Sequence, residues 1–518
     1  MTGGGALARG FKGAEKTEGA EPAWPRAVWL AGCAAYLGIV VFAGATFQYN
    51  YIDPVVQLPI LALIAAFLAQ RVARSDRDPA MVSFVMAAFA AKMLGAIVRY
   101  MLGYALYNGQ VDASDYQSYG ARLAPMYRSF HFASNVGGST GTAFMRKLTA
   151  VVYAFGGSSR LGGYLMFSFM AFVGLLLLWR AFCRAVPNGD HRMYGLLVLF
   201  LPSFLYWPSA VGKEAWAVFT IGIASYGIAR VLTKSIIPGL VLFALGLLGI
   251  TMLRPHISLT IFCGLLLAAA VAKAKKRNGF APFLRIIVFG ALLLVGLVVV
   301  AQTKSFFGVS TLDTETVNST LEAASGQTSE GGSAFTPIKF SPANPVSWVG
   351  ATVTVLFRPL PFEAHNPEAF LASSESVFLL YLMWSRRKRL RSIWREMRLH
   401  PYVAYSIGVT FTFIFAFSAF SNFGILSRER VQVTPFFMVL LCLPEYHGRR
   451  ERQAELRAEI EEAAGISEPE APEGAADNGP YRKSQPPELY PRVHDADSDP
   501  YEGFEVTAHE TDRSPYDG

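Results

Sequence analysis

An all-α, polytopic membrane bundle is the fold class this sequence predicts, and three observations predict it. Apolar runs of roughly 17 to 25 residues recur along most of the chain, each long enough to cross a bilayer as a helix. Hydrophobic residues make up 52% of the sequence and charged residues only 16%, below the quarter usual in soluble domains. Basic residues gather in short clusters between the apolar runs, as they do in cytoplasmic membrane loops.

In chain order, a Gly-rich segment with Arg9, Lys12 and Lys16 occupies 1–26 and is expected to be cytoplasmic. The predicted spans, about twelve, cover 27–47, 54–70, 80–106, 161–180, 193–207, 214–231, 236–252, 256–272, 284–302, 369–385, 402–420 and 431–446. No small-residue cleavage site follows the first run, so it reads as a retained span rather than a signal peptide. Arg71, Arg74 and Arg77 follow the second span, and Arg180, Arg184 and Arg192 the fourth. Lys273, Lys275, Lys276 and Arg277 follow the eighth, and Arg386, Arg387, Lys388, Arg389 and Arg391 the tenth. Placing these clusters inside puts both termini inside and leaves the intervening loops on the outer face.

The outer loops are expected at 107–160, 303–343 and 344–368. The first is long and carries Asp112 and Asp115, and the second is polar and reads as a mobile flap or disordered. The third contains an apolar stretch through Arg358 that would reverse the Arg386–Arg391 cluster if it crossed. It is therefore expected as a re-entrant or surface-lying hairpin with non-helical backbone, covered by protein or a water-filled cavity. The tail 447–518 is rich in Glu, Asp and Pro and is expected to be cytoplasmic and disordered, beginning with a short charged helix at 449–462. No internal repeat is evident, which weakens an inverted-repeat transporter.

The net charge of +8 is spread over inter-span clusters, so no nucleic-acid partner is implied. Cys33, Cys183, Cys263 and Cys442 lie singly in or beside apolar segments with no metal or redox spacing, and read as packed thiols. No cofactor is indicated; dependence on a divalent metal is compatible with the sequence, but no metal ligand set indicates it.

Candidate chemistry falls on the outer loops. In Asp112-Ala-Ser-Asp115-Tyr116-Gln-Ser-Tyr119, carboxylates can accept sugar hydroxyl hydrogen bonds, one acid can act as general base, and tyrosine rings can stack on a sugar face. The plain alternative is a solvated loop start with interfacial tyrosines. In Tyr206-Trp207-Pro208-Ser209-Ala-Val-Gly212-Lys213-Glu214, a helix start beside an ammonium can bind an anion, or form a tight turn with a surface ion pair. Arg254-Pro255-His256 places a cation outside, against the usual bias, beside a histidine that can shuttle a proton or simply be hydrogen-bonded.

Phe357-Arg358-Pro359-Leu-Pro361-Phe362-Glu363 holds an arginine whose burial demands an anionic partner, either Glu363, Glu375 or a ligand phosphate. Arg428-Glu429-Arg430 can grip a diphosphate through paired guanidinium bonds or form a surface network. Lys92 and Arg99 share one face of the third span; snorkelling explains Arg99 better than Lys92, which is expected to point into the bundle, either in a structural ion pair or in a functional role. Together, outward arginines and carboxylates suit an anionic ligand with a hydroxylated partner, such as a polyprenyl-(di)phosphate sugar.

The stretch Ser114-Asp115-Tyr116-Gln-Ser-Tyr119 resembles the Asp-Tyr-x-x-Tyr signature of exopolysaccharide and O-antigen polymerase-like membrane proteins. The 202–214 turn and Asn422-Phe-Gly424-Ile-Leu-Ser-Arg428-Glu-Arg430 resemble segments common in such proteins. An outer-loop Asp after an early span also resembles the C-type multi-spanning glycosyltransferases. These resemblances imply a plasma (inner) membrane enzyme of cell-surface polysaccharide assembly that takes a polyprenyl-linked sugar donor and a glycan acceptor, alongside other envelope-assembly proteins. Asp115 or Asp112 would deprotonate or orient the acceptor hydroxyl. Arg358, Arg428 and Arg430, with Arg254 and Lys213, would stabilise the departing phosphate. The rival expectation is a transporter or flippase of an anionic or lipid-linked solute.

Overall fold

A computed structural model describes residues 24–445 apart from 133–137, 139, 234, 272–295, 306–307, 310–313, 329–333 and 339–343. The expected tail helix, the basic cluster at 273–277 and the first part of the span at 284–302 lie outside the described residues; 296–305 is helical. Among the described residues every regular element is a helix, and the only β-pairing is an isolated bridge between Ala334 and Asn422.

Five helices are long and apolar enough to cross a membrane: α2 (Tyr49–Asp76), α3 (Ala80–Ala105), α6 (Arg160–Ala185), α9 (Lys213–Leu232) and α10 (Ile236–Leu253). They follow α1 (Trp24–Thr46), and are joined by α4 (Asp112–Arg128), α5 (Thr142–Gly156), α7 (His191–Phe200) and α8 (Pro202–Tyr206). After α11 (Pro255–Val271) come α12 (Thr314–Thr328), α13 (Pro345–Phe357), α14 (Pro367–Ser385), α15 (Arg387–Leu390) and α16 (Ile393–Leu399). The last helices are α17 (Pro401–Phe417), which meets α16 at a bend of 119°, α18 (Phe423–Arg430) and α19 (Thr434–Leu441).

Small residues allow the long helices to approach closely. A Cβ on Gly222 of α9 would sit 2.2 Å from the Gly174 carbonyl oxygen of α6, and one on Gly246 of α10 would sit 2.5 Å from the Ala224 nitrogen of α9. Such approach is the usual basis of helix association where lipid tails are as apolar as the side chains.

Polar contacts sort the helix ends into two groups. At one end Arg180 donates to both Asp76 oxygens at 2.5 and 2.6 Å, and Arg184 donates to Thr233 Oγ1 and Ser235 Oγ at 2.5 and 3.0 Å. There too Arg386 donates to Asp190 at 2.8 Å and Arg389 to the Leu443 carbonyl at 2.6 Å. At the other end Asn50 donates to Tyr100 Oη at 2.7 Å and accepts from the Leu161 N–H at 3.0 Å, while Gln117 donates to the Arg160 carbonyl at 2.9 Å. Arginines from the basic clusters after the fourth and tenth predicted spans therefore share one end of the bundle with Asp76, which lies within the cluster after the second.

The structure departs from the sequence expectations in the connections. Most of 107–160 is not loop: α4 and α5 pack against each other, meeting where Gly120 lies against Thr149. Ala113, Tyr116, Gly120, Leu123, Ala124 and Tyr127 form the buried stripe of α4. The rest of that helix is too polar to resemble a span, though its i, i+3, i+4 spacing is that of an amphipathic surface helix. The flap at 303–343 contains α12, whose Ser325 carbonyl accepts from Ser421 Oγ at 2.7 Å.

The span expected at 193–207 is broken at Leu201, which is extended (φ −61, ψ 136) ahead of Pro202. The proline ring disfavours helical geometry in the residue before it. The last expected span, 431–446, is likewise short, with α19 preceded by turn residues after Arg430. Most of the apolar part of the 344–368 hairpin is helical rather than irregular. α13 has 13 residues, about 20 Å at 1.5 Å per residue and short of a ~30 Å hydrocarbon core. It ends in extended backbone at Arg358 and a 3-10 turn at Pro361–Glu363 before α14.

Candidate functional site

At the end of the bundle opposite the Arg180–Asp76 pair lies a cavity of about 380 Å³. Four groups of residues, drawn from six segments of backbone, supply its polar lining. The first turn of α4 contributes Asp112 and Tyr116, and the start of α9 contributes Lys213 and Glu214. α18 contributes Arg428, and its start is held by Asn422, whose Oδ1 accepts from the Gly424 and Ile425 N–H groups at 2.9 and 3.2 Å. The fourth wall is Arg99 of α3, Tyr206 and Trp207 at the end of α8, and Glu368 in the first turn of α14.

Under the cavity the charges alternate. Arg428 contacts Asp112 Oδ2 and Glu214 Oε1, both at 3.0 Å. Glu214 Oε1 also accepts from Arg254 at 3.1 Å, and Arg254 turns its other nitrogen to Glu429. Gln432 Nε2 closes the row by donating to Glu429 Oε2 at 2.5 Å. Arg254, Glu214 and Glu429 are buried, at 7%, 6% and 5% exposed, so each depends on its neighbours to offset desolvation. The Arg428 guanidinium is held charged chiefly by Glu214. Lys213 is the one cation among the described lining residues that takes part in no ion pair.

The fourth wall is also internally satisfied. Arg99 donates to Glu368 Oε1 at 3.2 Å, and its guanidinium stacks over the Tyr206 and Trp207 rings at 4.1 and 4.8 Å. The Tyr206 hydroxyl donates to the same Glu368 oxygen at 2.5 Å. Across the cavity, burial, with Asp112 and Glu214 nearby, pushes the Tyr116 phenol up to about 12. Tyr116 is therefore a neutral phenol at any working pH, and its hydroxyl can donate to a ligand.

The cavity gathers Asp112, Tyr116, Lys213, Glu214 and Arg428 of the residues singled out from the sequence, with Arg254 directly behind them. The remaining candidates do not line it. Asp115 is held by Arg146 through two hydrogen bonds, both 3.0 Å, and the Arg146 guanidinium stacks on Tyr119 at 3.9 Å. Arg358 finds its anion in Glu363, with Nε–Oε1 2.9 Å, and lies over the Phe335 and Phe423 rings at 4.6 and 5.0 Å. Burial would raise the Glu363 carboxyl, but Arg358 and the Leu360 N–H hold it below its usual range. Arg430 is buried and donates to the Leu356 and Arg358 carbonyls at 2.8 and 3.1 Å. Glu375 accepts from the Ser203 N–H at 2.8 Å, and His256 packs near Phe417 at 6.0 Å between ring centres.

Sequence reasoning missed Glu368 and the inward role of Arg99. An arginine inside a span needs a counter-ion, so the demand was legible at Arg99. The supplier was not, because Glu368 sits 269 residues away at a helix start, where an acid is ordinary. Lys92 does point inward as expected: it is 1% exposed, and its Nζ donates to the Phe204 carbonyl at the break between α7 and α9.

Compared with known proteins, the chain matches no family model, no curated protein and no solved structure.

Proposed function

We propose that this protein is a membrane glycosyltransferase or glycan polymerase of about twelve spans, working on a polyprenyl-phosphate-linked sugar at the outer face of the plasma membrane. The observation that carries the reading is the cavity itself. It joins a partly exposed carboxylate, Asp112, to an unengaged ammonium, Lys213, and to Arg428, within a rim of Tyr107, Tyr116, Tyr206 and Trp207. Its position opposite the arginine-rich end, which the charge rule assigns to the cytoplasm, supports the outward orientation.

In this reading Lys213, beside the amide groups that open α9, and Arg428 hold the donor phosphate. The bond between the sugar's anomeric carbon and the phosphate oxygen breaks, and the phosphate leaves as an anion stabilised by these cations. A hydroxyl of the acceptor glycan forms the new bond to that carbon and passes its proton to Asp112, which acts as general base. The aromatic rings provide stacking faces for the sugars. Asp112 takes the role of base because it lines the cavity, whereas Asp115 lies off it.

The test is transfer from a polyprenyl-phosphate sugar panel to a glycan acceptor by the purified protein in nanodiscs, read by mass. Asp112→Asn should lower turnover by a factor of about 100 or more, within the range typical of a lost general base, whereas Asp115→Asn should keep most of it. Full activity of folded Asp112→Asn would sink the mechanism. In sealed proteoliposomes, movement of the lipid-linked compound across the bilayer without change in mass would replace it with transport.

A further inference from the structure

The segment joining α14 to α17 carries an arginine-rich face that the fold leaves open. Over 386–398 the side chains divide between two sides of α15, α16 and the turns around them. One side is fastened to the bundle. Arg386 donates to Asp190 at 2.8 Å, Arg389 to the Leu443 carbonyl at 2.6 Å and Ser392 Oγ to the Pro444 carbonyl at 2.9 Å. Glu396, 2% exposed, takes Arg395 at 2.9 Å. Steps of three, three and four residues place 386, 389, 392 and 396 along one side of a helical path.

The other side holds Trp384, Lys388, Arg391, Trp394 and Arg398, again at steps of three or four, and all five are exposed. The two tryptophans are 65% and 71% exposed, and Arg387 stacks over the Trp384 ring at 4.8 Å. Arg387, Lys388, Arg391 and Arg398 enter no ion pair among the described residues. Unopposed cations interleaved with uncovered tryptophans call for a partner that is both anionic and able to receive an aromatic ring.

Polarity along that side identifies the partner. Going back from Trp384, the exposed residues of α14 are Tyr381, Val377 and Phe370, at steps of three, four and seven. The surface thus passes from apolar side chains through aromatic ones to cations. Hydrocarbon, interface and headgroups follow in the same order across one leaflet of a bilayer. α16 then meets α17 at a bend of 119°, so it slants across the end of the bundle instead of projecting from it. A soluble anion or an acidic protein would satisfy the cations but not the apolar approach that leads to them.

We propose that the face from Trp384 to Arg398 is a docking site for the headgroups of anionic phospholipids in the cytoplasmic leaflet. The tryptophans sit among the glycerol and carbonyl groups, and Arg387, Lys388, Arg391 and Arg398 take the phosphates. Basic clusters next to a membrane span draw anionic lipid in this way, and an arginine fork can bind two phosphate oxygens at once. The site lies at the end of the bundle opposite the cavity and owes nothing to the chemistry proposed there. It shares with that reading only the assignment of the arginine-rich end to the cytoplasm.

The experiment places the full chain in bilayers of equal parts phosphatidylcholine and phosphatidylglycerol, with one or the other lipid brominated near the carbonyl end of its chains. Trp394 is read as the fluorescence that Trp394→Phe removes. Brominated phosphatidylglycerol should quench it severalfold more than brominated phosphatidylcholine, and the difference should shrink in high salt, which screens exposed charges. Trp348 of α13, 41% exposed in a stretch (341–357) without charged residues, should not distinguish the two lipids when read in the same way through Trp348→Phe. Combining Arg387→Gln, Lys388→Gln, Arg391→Gln and Arg398→Gln should bring Trp394 to the same indifference. Equal quenching of wild-type Trp394 by both lipids, or a preference that survives the four substitutions, overturns the proposal. Absence of quenching by either lipid would show the face to be covered by protein, which overturns it equally. The wild-type comparison and its salt titration decide the matter even if the fourfold variant does not fold.

Discussion

Replacing Arg254 with methionine keeps a long side chain in place but leaves Glu214 and Glu429 facing each other without the cation between them. The Arg254–Glu214 contact is 3.1 Å. At an effective dielectric of about 20, Coulomb's law gives roughly 5 kcal/mol for such a contact, before the cost of desolvation is subtracted. Removing one partner of a buried pair commonly costs about 3–5 kcal/mol, because the abandoned charge stays buried. The lower figure already reduces the folded-to-unfolded ratio more than a hundredfold, at about 1.4 kcal/mol per factor of ten. Denaturant titration in detergent micelles, followed by tryptophan fluorescence, measures it. Glu429→Gln in the same chain should recover at least half of the loss, because Glu214 keeps Arg428 while the second carboxylate is gone. An Arg254→Met protein within about 0.5 kcal/mol of wild type, the usual scatter of neutral surface changes, would refute the alternating-charge account of this site. So would a double variant no better than the single one.

Two further perturbations test the frame around the site. Gly222→Leu should separate α6 from α9, since even a Cβ would sit 2.2 Å from the Gly174 oxygen; overpacking of this kind costs about 1–3 kcal/mol or more. Gly38→Leu, where nothing lies within 4 Å, is the control, and equal thermal stability of the two variants would count against the packing. The 358–363 turn should loosen in acid. Glu363 is held below its usual range by Arg358 and the Leu360 N–H, so its contribution is fully present above the unfolded value of about 4.3. That contribution disappears as pH falls through the lower folded value. Amide exchange at 358–366 should accelerate over that window in wild type and not in Glu363→Gln; identical pH profiles would exclude the pair as the turn's fastening.

Much of the fold was legible because membrane helices announce themselves by length and composition. α2, α3, α6, α9 and α10 fall within a few residues of their predicted limits at most boundaries, and the Arg180 and Arg386 clusters do meet at one end. The amphipathic pair α4 and α5 was hidden for the opposite reason. The buried stripe of α4 is made mainly of Ala, Gly and Tyr, with Leu123, among polar and charged residues, which scores as loop when the search is for apolar runs. The breaks at Leu201 and Arg430 were signalled by Pro202 and Pro435, yet continuous hydrophobicity on either side masked them.

The sequence by itself determined an all-helical, lipid-compatible chain, the separation of basic from mixed-charge loops, and the short list of ionisable residues from which a site can be built. Those are consequences of local composition, since transfer of a helix into lipid depends on its own residues. Only the tertiary structure decided how those residues pair. It gave Asp115 to Arg146, Arg358 to Glu363 and Arg99 to Glu368, and left Asp112 and Lys213 at the cavity. A buried charge takes whichever opposite charge the packing brings within about 4 Å, because attraction at that range is what offsets its desolvation. Partners as far apart in the chain as Asp112 and Arg428 meet only once the bundle has closed.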